Sequence, residues 1–420
     1  MPKIEMMDFG IRQHLYQGTG ASGKLPEILE QEGWKRVMLI TDPVLYKTGV
    51  AKPIEDSIKK AGAEYIVFTN VRPNPEVLTI EQEAIPAYRE FGGADVVVAV
   101  GGGSTIDTAK GVVIVGLSDH KVMDFTIDKI TRDQKFGHKM PALIAIPTTA
   151  GTGADVCVNA VISDENDIKL VVAHDSILPG YSLMDPDLLA GLPFSVAAAT
   201  SMDAFTHALE SLTNRNANDF TKTHSLRALE LIGECIRGFV SNPSDKANAN
   251  KMSLACMYAG FSLGQSGIGQ IHVLTHPIGE APFHLPHGDA CAMVTPAVIE
   301  YNGLAAKELY LQAYNALTKE NVSAEEFDVQ YFIDWVVELN SDLHIAKDMS
   351  FEEWGYNDGE PLQKILDHPI TQLALQINTP AGICEYPRFT TLKDFETIVK
   401  RTNLYSKQQA AIAKAKQAQA

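Results

Sequence analysis

The stretch Ala94–Lys110, "ADVVVAVGGGSTIDTAK", constrains the fold more than any other part of the chain. After Asp95 its first half is apolar at every position, so a strand made from it has no polar face and must be covered on both sides. Gly101, Gly102 and Gly103 end that strand, and the helix-forming run "STIDTAKGVVIVG" follows. The same alternation recurs around it. "RVMLITD" (Arg36–Asp42) and "EYIVFTN" (Glu64–Asn70) read as strands, separated by an amphipathic stretch around Ile54–Ala61. "PEVLTIEQEAIPAYREFGG" reads as a helix with a Gly-Gly stop, and "ALIAIP" (Ala142–Pro147) as another buried strand. Strand and helix alternating at this spacing predict a parallel sheet with helices on both faces.

Prolines and glycine punctuate "YSLMDPDLLAGLP" (Tyr181–Pro193), and the periodicity beyond it is helical, as in "SVAAATSMDAFTHALESLTN" and "FTKTHSLRALELIGECIRGFVS". The chain therefore divides near residue 190. Residues 1–190 form an α/β part, 191–405 a helical part, and the Ala/Lys/Gln-rich 406–420 a frayed helix or disordered tail. No internal repeat is present.

Composition narrows the function. A length of 420 residues suits two domains, and 45% hydrophobic with 21% charged residues describes an ordinary globular protein. A formal charge of −17 argues against nucleic acid or an anionic membrane as partner. The opening "MPKIEMMDFG" lacks the apolar core of a secretory signal, and the most apolar runs are too short to span a bilayer. Five scattered cysteines, odd in number and never in a CxxC pair, point to reduced thiols in a cytoplasmic protein.

Glycines between a strand and a helix let a phosphate approach the free N–H groups at the helix start. Ser104 is a candidate cap for that helix. The motif is not GxGxxG, because Ile106 occupies the sixth position. Asp42, at the end of the first strand, is placed to bind an adenosine ribose and repel a 2′-phosphate, although an acid at a strand end is also common in plain turns. "IPTTAGTGADV" (Ile146–Val156) is a third strand end, opening into small and hydroxylated residues. Three such ends on one sheet predict a nucleotide crevice.

The second constellation is acid and imidazole. "SMDAFTHALE" sets Asp203 and His207 four apart on one helix face. "GQIHVLTHPIGEAPFHLPHGDA" holds His272, His276, His284 and His287, a third of the twelve histidines in the chain. An Asp/His pair plus two of these four would supply the nitrogen and oxygen ligands of a divalent metal. A surface hydrogen bond on the helix and a loop-tip His-Pro turn are the plainer readings of each piece.

Taken together, "GGGSTIDTAK", "PTTAGTGAD", "MDPDLL", "TSMDAFTHALES" and "HVLTHPIGEAPFHLPHGDACA" resemble the iron-dependent (group III) alcohol dehydrogenases, in this order and at similar spacing. The resemblance runs from Leu39 to Ala292 and more weakly beyond. It implies an N-terminal parallel-sheet nucleotide-binding α/β domain followed by an all-helical C-terminal domain, a dehydroquinate-synthase-like architecture with the active site between the two. It implies Asp203, His207, His272 and His287 as metal ligands and His276 beside the nicotinamide and substrate. Cofactor contacts would fall on Asp42, Asn74, Gly101, Gly102, Gly103, Ser104, Thr148, Thr149, Thr152 and Lys169. Members with Asp at the position of Asp42 prefer NAD to NADP. The implied activity is NAD(H)- and Fe(II)-dependent interconversion of a small alcohol and aldehyde, zinc being the other metal in view, by a homo-oligomer (a dimer or larger).

Two departures stand out. Asp155 follows "GTGA" where the family carries a glutamate, and ten residues separate His276 from His287, one more than the family pattern. A bulge before His287 is expected, with His284 as the substitute ligand. Competing readings are a zinc-dependent glycerol dehydrogenase or a dehydroquinate-synthase-like lyase of the same superfamily, and a non-catalytic NAD- or metal-binding module. The intact Asp and three-His set with a separate His276 disfavours all three.

Overall fold

A computed structural model of the chain describes residues 12–280, 285–345, 360–375 and 386–418. The opening segment read for a secretory signal, His284 and Cys384 lie outside the described residues. Six parallel strands form the main sheet: β1 (His14–Gln17), β2 (Arg36–Thr41), β3 (Glu64–Phe68), β4 (Val96–Gly101), β5 (Ala142–Pro147) and β8 (Tyr181–Met184), in the order β1-β8-β5-β4-β2-β3. Every residue of β4 is buried, as its apolar run requires. The pleat sends alternate residues to two cores. Val37, Leu39, Val96 and Val98 face α1 (Leu25–Glu32) and α2 (Lys52–Lys60), while Met38, Ile40, Val97 and Ala99 face α3 (Gly103–Val115).

From β2 the chain moves outward to β3 and then returns to β4 on the other side of β2. The order therefore reverses between β2 and β4, where open α/β sheets bind ligands beyond the strand C-termini. Asp42 follows one of these strands and the glycine loop follows the other.

A two-stranded antiparallel hairpin, β6 (Asn159–Ser163) and β7 (Lys169–Ala173), stands outside the main sheet. Two buried charges on α3 hold it. Asp107 accepts the amide of Val161 at 2.9 Å, and the Lys110 ammonium donates to the carbonyl of Asn159 at 2.5 Å. The hairpin was not legible in the sequence, and neither was β8. Tyr181–Met184 pairs with both β1 and β5 before the punctuating residues begin.

From Phe194 onward the described residues form helices and their connections, with no further strand. These include α4 (Phe194–Thr213), α5 (Asp219–Ser241), α6 (Lys246–Ser266), α7 (Gln270–Ile278), α8 (His287–Thr318), α9 (Val329–Asp342) and α10 (Leu392–Gln417), packed around one apolar core. Helix α10 runs through the Ala/Lys/Gln stretch to Gln417, so of the two readings of that stretch, frayed helix or disordered tail, the helical one matches its secondary structure. Ala410 and Ala413 lie buried one turn apart, and Lys416 pairs with Asp342 of α9, so the small side chains serve docking. Among the described residues no helix is long and apolar enough to cross a membrane.

Candidate active site

One wall of the site is α4, buried at every position from Ser201 to Thr213. Asp203, His207 and Glu210 fall on one face of it at helical spacing. Helix α7 brings His272 against that face and contains Pro277 only in its last turn, where the lost hydrogen bond matters little. Glu210 joins the two helices. Its carboxylate accepts the amides of Gly269 and Ile271 at 2.9 and 2.5 Å, serving as the cap that α7 lacks from its own residues, and it contacts His272 Nδ1 at 2.6 Å. With Nδ1 committed to Glu210, His272 presents Nε2 to Asp203.

Helix α8 supplies the last imidazole, because His287 is its first residue and Pro286 its cap. Gly288 allows this. A Cβ there would lie 1.8 Å from the carbonyl oxygen of Ala199, so only glycine lets α8 begin against α4. The bulge expected before His287 falls largely on 281–284, outside the described residues, and His287 itself opens α8.

Three imidazoles converge on one carboxylate oxygen. The Nε2 atoms of His272, His207 and His287 lie 3.4, 3.6 and 3.7 Å from Asp203 Oδ1. These separations are long for hydrogen bonds, yet two ligands each about 2.1 Å from one tetrahedral ion stand about 3.4 Å apart. The donor set therefore fits a divalent metal. The rings of His207 and His272 stack with centroids 4.5 Å apart, and His207 Nδ1 faces the carbonyl of Gly151 at 3.3 Å. His287 is the ligand candidate open to the cleft, its side chain 34% exposed against 3% for His272.

The charges agree with this arrangement. Burial alone would raise the pKa of Asp203, but His207, His272 and His287 outweigh it and hold the carboxyl well below its ordinary value. Burial also opposes charge on His272, and the carboxylates of Glu210 and Asp203 overcome it, lifting that imidazole to about 9. His276 is the opposite case. It is buried beside His287, with ring centroids 5.7 Å apart, and its Nδ1 has no partner among the described residues. Burial, with the neighbouring His287 and Lys169, drives its pKa well below the usual value, so it is neutral.

The facing wall comes from the sheet and hairpin. A cleft of about 240 Å³ is lined by Asn74, Gly103, Ser104, Thr152 and Lys169 on this side and by Asp203, His207, His272, His276 and His287 on the other. Asp42, Gly101, Gly102, Thr148 and Thr149 lie off this lining at the ends of β2, β4 and β5. Helix α3 is capped by Gly102 and has no side-chain cap, which corrects the expectation for Ser104. Ser104 sits in the first turn, and its hydroxyl donates to the carbonyl of Pro73 instead. A Cβ at Gly103 would meet Thr152 at 2.6 Å, so the two loops form one shallow cradle in front of uncapped helix amides, a fit for a phosphate. Asp42 Oδ1 accepts the amides of Val44 and Leu45, capping the next short helix.

Lys169 is buried, which lowers its pKa, and Glu280 and Asp167 partly offset this. Glu280, at the irregular stretch after α7, accepts the amide of Lys169 at 2.9 Å and meets His368 Nε2 at 3.1 Å. Asp155 accepts the hydroxyl of Ser182 on β8 at 2.7 Å, so it serves the sheet rather than the cleft.

Sequence reasoning passed over two residues of the site. Glu210 stands three residues after His207, on the same helix face. Cys291 stands four after His287, the spacing already noted for Asp203/His207 and His272/His276.

Comparison with known proteins identifies the family. The iron-containing alcohol dehydrogenase pattern matches residues 13–186, and the C-terminal pattern of the Fe-containing alcohol dehydrogenase family matches residues 197–386. Lactaldehyde reductase of Escherichia coli K12 is 32% identical over 333 residues, covering 78% of this chain and 84% of that protein. Long-chain-alcohol dehydrogenase 1 of Geobacillus thermodenitrificans NG80-2 is 32% identical over 370 residues, covering 88% and 91%. The solved structure of an alcohol dehydrogenase from Oenococcus oeni superimposes with a TM-score of 0.82 at 28% identity, covering 94% of this chain and 100% of that one. A parallel sheet ending in a glycine loop, a buried carboxylate ringed by imidazoles and matches to both halves of the chain lead to one conclusion: it belongs to the iron-containing alcohol dehydrogenase family, whose members are oxidoreductases.

Proposed function

We propose that this oxidoreductase transfers a hydride between NAD(H) and a small alcohol or aldehyde. The observation that carries the reading is the convergence of His207, His272 and His287 on Asp203 Oδ1, at 3.4 to 3.7 Å, in the wall of a cleft whose other wall includes Gly103 and Ser104 at the start of α3. Asp203, His207, His272 and His287 hold the metal in this reading, and Glu210 orients His272 from behind. Four protein ligands leave room for a further ligand only on an ion accepting five or six, which favours Fe(II) over tetrahedral zinc. The bound ion supplies Lewis acidity toward the substrate oxygen, and the nicotinamide supplies or accepts the hydride.

The rest is done by the chain itself. Gly101, Gly102, Gly103 and Ser104 offer the start of α3 to the pyrophosphate, with Thr148, Thr149 and Thr152 beside them. Asp42 has one carboxylate oxygen engaged in its cap, which in this reading leaves the other for the adenosine ribose and disfavours a 2′-phosphate. Asn74 and Lys169, both in the lining of the cleft, would contact the cofactor in this reading. His276, neutral and with no partner for Nδ1 among the described residues, is the group suited to pass a proton to or from the substrate oxygen, directly or through water. The four described cysteines are free and buried, which suits the reducing cytoplasm.

The test is loss of NADH absorbance with a panel of short aldehydes, among them lactaldehyde, 3-hydroxypropanal, butanal and sulfonated aldehydes. It is run on metal-stripped protein with and without added Fe(II). Turnover that requires the metal is expected. Nucleotide binding with no turnover on any aldehyde would favour a binding module instead.

A further inference from the structure

Cys291 is fully buried and free, and the mechanism above does not use it. It lies one helical turn after His287 on α8, so both side chains leave the same face of the helix. The four side chains whose ligand atoms all lie within 4.8 Å of one another are Asp203, His272, His287 and Cys291. His207 is not one of them. The sulfur stands 3.8 Å from His287 Nε2, close to the roughly 3.6 Å that separates a sulfur at 2.3 Å and a nitrogen at 2.1 Å on one tetrahedral ion. The sulfur also meets the hydroxyl of Thr275 at 3.6 Å, a weak contact that costs little to leave. A buried cysteine is often only a small apolar filler, but this one is surrounded by three ligand groups.

We propose that Cys291 is a metal-selecting ligand: a thiophilic divalent ion such as zinc or cobalt draws its thiolate in beside Asp203, His272 and His287 and closes a four-coordinate site. Fe(II), harder and content with nitrogen and oxygen donors, leaves the thiol against Thr275. Ligation forms one metal–sulfur bond and breaks one S–H bond, the proton passing to solvent with no change of oxidation state. The chain thus carries five donors for one ion, and the metal decides which of them are used. The inference rests on the metal-site reading above.

The test is spectroscopic. Metal-stripped protein is loaded with Co(II), its stoichiometry measured, and the near-ultraviolet thiolate-to-cobalt charge-transfer band recorded for wild type and Cys291→Ser. The expected result is one cobalt per chain in both proteins, with the band present in wild type and lost in the variant. Zinc affinity of the variant should fall by roughly tenfold or more while Fe(II) affinity holds. Cobalt bound to wild type without the band would overturn the role of Cys291 and leave the metal site standing. No cobalt bound at all would overturn the site reading, and this proposal with it. Cadmium-113 NMR of the wild type alone repeats the test without a variant, because a thiolate ligand moves the resonance far downfield of a nitrogen and oxygen site. A resonance in the nitrogen and oxygen range would refute the proposal.

Discussion

The two walls of the cleft are built on different principles. On the sheet side, the candidate contacts sit at strand ends and on loops, and much of what they offer is backbone: uncapped amides of α3 and glycines that let a ligand come near. On the helical side, the contacts are side chains of buried helices, paired at four-residue spacing and cross-linked by Glu210. A backbone cradle spreads its hold over many weak contacts, so one substitution changes selectivity more than occupancy. A side-chain cage concentrates its hold in a few atoms, and losing one costs the ion.

That contrast can be broken most directly at its centre. Asp203→Ala removes the oxygen on which the three imidazoles converge, and metal content should fall to background with turnover down by about 10³-fold or more. Metal analysis showing a retained ion would remove Asp203 from the ligand set. Next comes His276→Ala, which should lower kcat by on the order of 10²-fold and leave the bound metal in place. Metal lost along with turnover would make His276 a ligand rather than a relay.

Glu210→Gln keeps the shape but weakens the hold on His272 and on the amides that begin α7. Metal affinity should drop by roughly 10- to 100-fold, read by competition with a chelator, while the helical fold persists by circular dichroism. An unchanged affinity would show that α7 is oriented by packing alone. The smallest effect is expected on the sheet side. Asp42→Gly should shift the NADP(H)-to-NAD(H) ratio of kcat/KM upward by about tenfold, at a stability cost of a few tenths of a kcal/mol for the altered cap. No change in that ratio would take Asp42 out of the ribose site.

Much of this was readable before the structure. Fully apolar strands alternating with helical runs permit a covered parallel sheet and little else, and β4 lies within two residues of where its composition puts it. The Asp203/His207 pair was visible because helical spacing is a local property. What escaped was nonlocal or disguised. Strand β8 is short and shares its segment with turn residues, so its pairing with β1 and β5 left no periodic trace. The hairpin depends on two charges buried on α3, residues whose composition suggests an exposed face. The alanine-rich end of α10 left a frayed helix and a disordered tail both open because small side chains carry little hydrophobic signal, yet they let it pack closely against its neighbours.

The residues alone determined the fold class, the glycine loop and the presence of an acid and imidazole site, since each is written in spacing over a few turns of chain. Only the tertiary structure decided which histidines meet Asp203, that Glu210 stands behind His272, and that Cys291 stands beside His287. The reason is geometric. Which of several histidines reaches one carboxylate depends on how α4, α7 and α8 cross. That crossing is set by contacts such as Gly288 against Ala199, between residues about ninety positions apart in the chain.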